Sequence, residues 1–395
     1  MKNTVGPPAR GDNFYQRHTE VDRIRNRIRD LNNIYIAAPR RIGKTSLLFH
    51  LLDKKVDDNV YVYVDTEAID NEADFFRKLA KEVLNAEEIK NSDRVKKLLE
   101  SGNKFLRKIK GLSIMGTGID FQESGLETNH KENFENLLAG LEFHGDSKLV
   151  LMIDEFPQTI QNIADVHGGD ARPAIRFLQA NREIRLHPAI QSKVIFIYTG
   201  SIGLNHTVSL IGGSAFINDL NALEVQPLNR TDASELLVAL LNRRGVKIEG
   251  EVIAYILNII EWLIPFYIQL IAQEVLEVSI RGEQITCHTV DAFFSRIVES
   301  RNNHHFEDYH KRIRKHFKDD EQRFALELLN SIAEQDTLPR SVAFDLAMKY
   351  NVEEKCRYII DSLMHDGYIN NNGAPNIYRF NSPILRMWWR RFICQ

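Results

Sequence analysis

Short, nearly unbroken apolar runs alternate with segments of helical spacing through the first half of the chain. Ile34-Tyr35-Ile36-Ala37-Ala38 is the first run, ended by Pro39, and a helix-like segment from Lys44 to Leu52 follows it. Val60-Tyr61-Val62-Tyr63-Val64-Asp65 is β-branched and aromatic, which predicts a second strand. Phe75 to Leu84 places apolar residues at helical intervals, and Leu149-Val150-Leu151-Met152-Ile153 and Val194-Ile195-Phe196-Ile197-Tyr198 are two further strand-length runs. Continuous apolar strands alternating with helices predict a parallel sheet covered on both faces, hence an α/β domain.

One segment breaks this rhythm. Lys110 to Gly125 holds four glycines and follows the basic run Lys104-Phe105-Leu106-Arg107-Lys108, which predicts a hairpin insertion at about 104–126 shielding a sheet edge. An amphipathic helix is expected earlier, over Glu20 to Leu31, with Val21, Ile24, Ile28 and Leu31 inward and four arginines outward. After Pro227 the pattern is helical: Asp232 to Leu241 opens behind Thr231 as an N-cap, and further helices continue to about Ser300. From Asp319 the rhythm changes again. Helices are expected around Phe324 to Ile332, over Val342 to Lys349, and over Glu353 to Met364 with Gly367 as C-cap. Tyr368-Ile369, an Asn-rich turn and Ile377-Tyr378-Arg379-Phe380 then read as strand, turn and strand, closed by a Ser382-to-Phe392 helix bearing Trp388 and Trp389. Three helices and a hairpin make a winged helix-turn-helix.

Composition narrows the class. The 395 residues are 43% hydrophobic and 27% charged, a globular balance too long for one core. A net charge of -3 excludes a polycation built to coat nucleic acid. Cys287, Cys356 and Cys394 are far apart, without metal-ligand or disulfide spacing, which predicts a reducing, cytoplasmic setting. The first eight residues lack the apolar core of a signal peptide. Val252 to Ala272 is mostly apolar but carries Asn258, Glu261, Pro265 and Gln269, so buried helices are expected there and no membrane span.

The chemistry concentrates after the first strand. Ala38-Pro39-Arg40-Arg41-Ile42-Gly43-Lys44-Thr45-Ser46 matches GxxxxGK[ST] between strand and helix except for its first glycine. In such a loop Gly43 lets backbone N–H groups face phosphates, Lys44 reaches the β- and γ-phosphates, and Thr45 offers a hydroxyl to Mg²⁺, at the positive end of a helix. The third run ends in Asp154-Glu155, placing two carboxylates where ligands of open α/β sheets bind. Asp154 is expected to serve Mg²⁺ and Glu155 to polarise an attacking water. The fourth run ends in Thr199-Gly200-Ser201; Thr199 and Ser201 both remain candidates to contact the γ-phosphate or that water.

These residues carry a resemblance. Arg40-Arg41-Ile42-Gly43-Lys44-Thr45-Ser46-Leu47 resembles the phosphate loop of the archaeal-type ATPases, within the STAND and AAA+ branch of P-loop proteins. Gly200-Ser201-Ile202-Gly203-Leu204, Asn218-Asp219-Leu220, Asp366-Gly367-Tyr368 and Ser382-Pro383-Ile384-Leu385-Arg386-Met387-Trp388-Trp389 resemble later blocks of a bacterial group in that branch. Phe14-Tyr15-Gln16-Arg17 resembles an N-terminal box that helps seat adenine, with Gln16 in place of glycine, and so implies a cofactor role for Arg17. The resemblance implies an ATPase core over 1–227, a helical lid over 228–300, and a linker helix with winged helix over 301–395. It also implies that Pro265 faces the nucleotide, although the glycine of the usual glycine-x-proline element is missing. Arg176, Arg182, Arg185 and Arg230 are all open as arginine fingers.

The expected function is an ATP-binding, slowly ATP-hydrolysing switch using ATP and Mg²⁺, whose lid and winged helix respond to nucleotide and regulate a protein partner. The alternative is a DNA-binding ATPase resembling origin-recognition initiators. Lys318 to Gln395 holds ten Lys and Arg against eleven Asp and Glu, and its third helix opens with Glu353-Glu354, so a protein partner is favoured over DNA.

Overall fold

The computed structural model describes residues 1–55, 57–90, 129–200, 203–371 and 373–394. The hairpin expected at 104–126 lies outside them. The chain forms two compact units, one of Gln16–Ala38 and Lys44–Val225, the other of Met1–Tyr15, Pro39–Gly43 and Gln226–Gln395.

The first unit is built on a five-stranded parallel sheet of β1 (Ile34–Ala37), β2 (Val60–Asp65), β3 (Leu149–Asp154), β4 (Val194–Thr199) and β5 (Asn221–Glu224), in the order β2, β3, β4, β1, β5. Every residue of β3 and β4 is buried, as their unbroken apolar runs require of central strands. β5 was not expected: in Asn-Ala-Leu-Glu only Leu223 is buried, so this edge strand carries no apolar run to read. The unit's longer helices are α1 (His18–Arg29), α2 (Lys44–Asp53), α3 (Glu72–Asn85), α4 (His130–Gly140), α5 (Phe156–Val166), α6 (Ala171–Leu186) and α7 (Leu204–Leu210), beside the single turns Glu87–Lys90 and Pro188–Gln191. Val21, Ile24 and Ile28 of α1 are buried as predicted, but Leu31 lies beyond the helix, left-handed and exposed.

A cluster of aromatic rings seats the helices on the sheet. Phe75 meets Phe177 edge-on at 4.8 Å, and Phe156 packs on Tyr198 of β4 at 4.5 Å. Behind Tyr198 lies Arg185, 1% exposed, whose Nε and Nη2 donate to the two carboxylate oxygens of Asp219 at 2.7 and 2.8 Å. Its Nη2 also donates to the Phe216 carbonyl at 2.7 Å. The sequence left Arg185 open as an arginine finger; a guanidinium locked inside its own fold cannot reach another molecule.

The second unit is mainly helical. It contains α8 (Arg230–Asn242), α9 (Gly250–Ile260), α10 (Pro265–Ile280), α11 (Cys287–Phe294), α12 (Glu307–His316), α13 (Asp319–Gln335), α14 (Arg340–Lys349), α15 (Cys356–His365) and α16 (Pro383–Phe392). The cap of α8 is Asn229, which accepts from the Asp232 N–H at 2.9 Å; Thr231, the expected cap, is already helical. The apolar stretch Val252 to Ala272 is two helices, broken at Glu261 (φ +56°) and restarted at Pro265, and no described helix is long and apolar enough to cross a membrane. Three short antiparallel strands, β6 (Leu338–Pro339), β7 (Ile369–Asn370) and β8 (Ile377–Phe380), pair in the order β6, β8, β7 beside α13, α14 and α15. The expected helix at Glu353 begins instead with a 3-10 turn and becomes α-helical at Cys356. Trp388 and Trp389 are core residues, their indole N–H groups donating to Asn303 and Asn330 at 2.7 and 2.8 Å.

Arg185→Met leaves Asp219 facing the space of a lost cation. It is expected to lower unfolding free energy by about 3 kcal/mol in urea titration, while Arg185→Met with Asp219→Leu recovers much of that loss.

Candidate functional site

The carboxyl ends of β1, β3 and β4 finish side by side, with Ile36 paired to Thr199 and Ile153 to Tyr198. At this edge the structure gathers Thr45, Asp154, Glu155 and Thr199, four of the residues singled out in the sequence. Asp154, the last residue of β3, is 3% exposed, and its carboxylate is ringed by donors. Thr45, in the first turn of α2, donates its hydroxyl to Oδ2 at 2.7 Å. Thr199, the last residue of β4, donates to Oδ1, as does the Glu155 N–H at 3.1 Å. Burying a carboxylate is costly unless donors replace water, and these donors also fix its direction.

A further donor was missed by sequence reading. Tyr63 of β2 donates its phenol to Asp154 Oδ2 at 3.2 Å. Burial, and then the charge of Asp154, push the Tyr63 phenol well above its ordinary pKa, so it stays a proton donor through the neutral range. In the sequence Tyr63 is one aromatic position of a strand. Only the in-register pairing of β2 with β3, Asp65 beside Asp154, brings its hydroxyl to that carboxylate.

Glu155 has left-handed backbone angles, φ +57° and ψ +31°, at the junction of β3 and α5. For a residue with a side chain this costs about 1–2 kcal/mol. Phe156 and Pro157 hold it there: Phe156 is fully buried among the aromatic rings and Pro157 fits a first helical turn. The Asp154 carbonyl accepts from Thr66 through N–H (3.0 Å) and hydroxyl (2.9 Å), and the Thr159 hydroxyl donates to the Thr66 carbonyl at 2.8 Å, tying α5 to the end of β2.

In the loop before α2, Arg41 (φ +61°) and Gly43 (φ +102°) both have positive φ, flanking Ile42. Positive φ is the demand on Gly43; Cβ space there is open. Lys44 opens α2, is 7% exposed, and donates Nζ across the loop to the Ala38 carbonyl at 2.8 Å. Ile42 and Ser46 are buried. Arg17 is 6% exposed and ion-paired with Glu20 at 3.7 Å. Pro39, Arg40 and Arg41 belong to the second unit, as does Pro265, the first residue of α10. Ser201 lies outside the described residues. Among the described residues no group of three or more His, Cys, Asp or Glu side chains gathers as a metal cage.

Tyr63→Phe removes one donor while leaving Thr45 and Thr199 in place. Urea titration is expected to show a loss of about 1 kcal/mol with an unchanged circular dichroism spectrum.

No family model matches the chain, and no curated protein matches it in sequence. Solved structures do match in shape. A Walker-type ATPase of Pyrococcus abyssi, PABY2304, aligns with a TM-score of 0.64 at 14% identity, over 99% of this chain and 100% of that one. The ORC2 protein of Aeropyrum pernix, solved in ADPNP–ADP complexes, aligns with a TM-score of 0.57 at 12% identity, over 98% of this chain and 94% of that one. At such identities the likeness is one of fold: the chain has a mixed α/β fold with the parallel five-stranded core of P-loop ATPases.

Proposed function

We propose that this chain binds ATP, hydrolyses it slowly, and uses its nucleotide state to regulate a protein partner. The observation that carries the reading is the convergence of Thr45, Tyr63 and Thr199 on the buried Asp154 carboxylate, with Thr45 following Lys44 at the start of α2. Loop N–H groups and the Lys44 ammonium would bind the β- and γ-phosphates at the N-terminus of α2. The hard oxygens of Thr45 and Asp154 would hold Mg²⁺, which would neutralise phosphate charge. Glu155 accepts a proton from the attacking water as the bond to the leaving ADP oxygen breaks, yielding ADP and phosphate. Thr199, held on Asp154, and Ser201 remain candidates to orient that water or the γ-phosphate.

The remaining parts of the reading follow the same division of labour. Arg17 is assigned to the adenine end, Pro265 to the lid, and the domain limits to 1–227, 228–300 and 301–395. Helices α13 to α15 with β6 to β8 are assigned as a winged helix-turn-helix. Its surface suits protein better than duplex. Phe344 and Met348 of α14 are 48% and 49% exposed, and Phe344 lines a groove of about 500 Å³ with Ile360 and Tyr378. Glu353 and Glu354 before α15 are exposed where phosphates would have to approach. A cytoplasmic setting belongs to the same proposal.

Hydrolysis of radiolabelled ATP tests the reading. Lys44→Ala is expected to abolish ATP binding, and Glu155→Gln to keep binding while lowering turnover about 10²–10⁴-fold. Tight binding by Lys44→Ala, or equal turnover in wild type and Glu155→Gln, would overturn it.

A further inference from the structure

The phosphate loop carries two arginines that the hydrolytic reading does not use, and both are engaged within the second unit. Arg41 lays its guanidinium over the Phe266 ring, 4.0 Å from the centroid, and donates Nη2 to the His305 carbonyl at 2.8 Å. Arg40 pairs with Asp308 at 3.7 Å. Next to them, Pro39 packs against Gly367, the left-handed residue that ends α15; a Cβ on Gly367 would lie 3.2 Å from Pro39 and 2.7 Å from Trp262. Three consecutive loop residues thus meet Phe266, the His305 carbonyl, Asp308 and the end of α15.

The chemistry of this hold makes it reversible. A cation on an aromatic face and a carbonyl is well placed but carries no opposing charge, and Asp308 is 53% exposed, so its pair with Arg40 is weakened by solvent. Arg40 Nη1 and Arg41 Nε are buried without hydrogen-bond partners. Burial, His304 and Arg41 push the His305 imidazole down to about 4, so it is neutral beside the guanidinium. A triphosphate offers these guanidinium groups the charged, bidentate oxygens they prefer over a ring face or a carbonyl.

We propose that Arg40 and Arg41 form a nucleotide-responsive latch: Asp308, Phe266 and the His305 carbonyl hold the two guanidinium groups, and a triphosphate bound at the loop competes for them and frees the 302–309 segment. This rests on the nucleotide reading of the loop and names its regulation. Because coupling between two binding events is reciprocal, loosening the latch must also tighten nucleotide binding.

Hydrogen–deuterium exchange on the full chain, with and without a non-hydrolysable ATP analogue and Mg²⁺, reads one side; equilibrium dialysis of that analogue reads the other. In wild type the analogue is expected to speed exchange across 302–309, where the Phe306 N–H now donates to the Asn303 carbonyl and the Tyr309 N–H to the Phe306 carbonyl, by about fivefold or more. Phe266→Leu removes the ring face, and Asp308→Asn, at an exposed position, removes the carboxylate without threatening the fold. Both are expected to bind the analogue about fivefold more tightly and to show fast exchange that no longer responds to it. The latch is overturned if wild type binds the analogue with no change at 302–309, or if both variants bind it no more tightly than wild type. Failure of wild type to bind the analogue at all would overturn the nucleotide reading together with the latch.

Discussion

A carboxylate sealed from water at the end of a central strand is the constraint around which the first unit is organised. Asp154 must be met by donors, and they come from separate stretches of chain: the start of α2, the middle of β2 and the end of β4. Two of them, Tyr63 and Thr199, are delivered by the parallel register of the sheet, and a shift of one residue in those pairings would turn a hydroxyl to the opposite face and deprive the carboxylate of a donor. Strand register and site geometry are therefore one requirement.

The strain beside it has an equally specific support. Glu155 holds a left-handed conformation because Phe156 is anchored among Phe75, Phe177 and Tyr198, while Thr66 and Thr159 hold the ends of β2 and α5 together. Arg185 and Asp219 brace the far side of Tyr198. Apolar packing thus sets the backbone of a polar residue that it does not itself need.

The second unit shows the complementary economy. Its helices are closed by buried aromatic residues, including Tyr267, Tyr309, Tyr368, Trp388 and Trp389; Tyr368 donates to the Tyr309 carbonyl at 2.6 Å and the two indoles donate to Asn303 and Asn330. The same unit presents Phe266, Asp308 and a carbonyl to the loop arginines, so a segment read in the sequence as part of a phosphate cradle is also a packing element.

The chain's own pattern determined β1 to β4, most helices, the loop ending in Lys44-Thr45 and the acidic pair, because unbroken apolar runs and a positive-φ glycine before a helix are local demands written in local residues. The structure decided what depends on neighbours far along the chain. β5 has almost no apolar run, so only its pairing with β1 makes it a strand. Tyr63 and Arg185 look like strand and surface residues until the sheet brings Asp154 and Asp219 to them. Asn229 displaced Thr231 as a cap because backbone geometry, more than residue type, selects which side chain meets the first free N–H groups. The allegiance of Arg40 and Arg41 could not be read either: their partners lie more than 200 residues away, and a guanidinium chooses among anion, carbonyl and ring by proximity, which tertiary structure alone supplies.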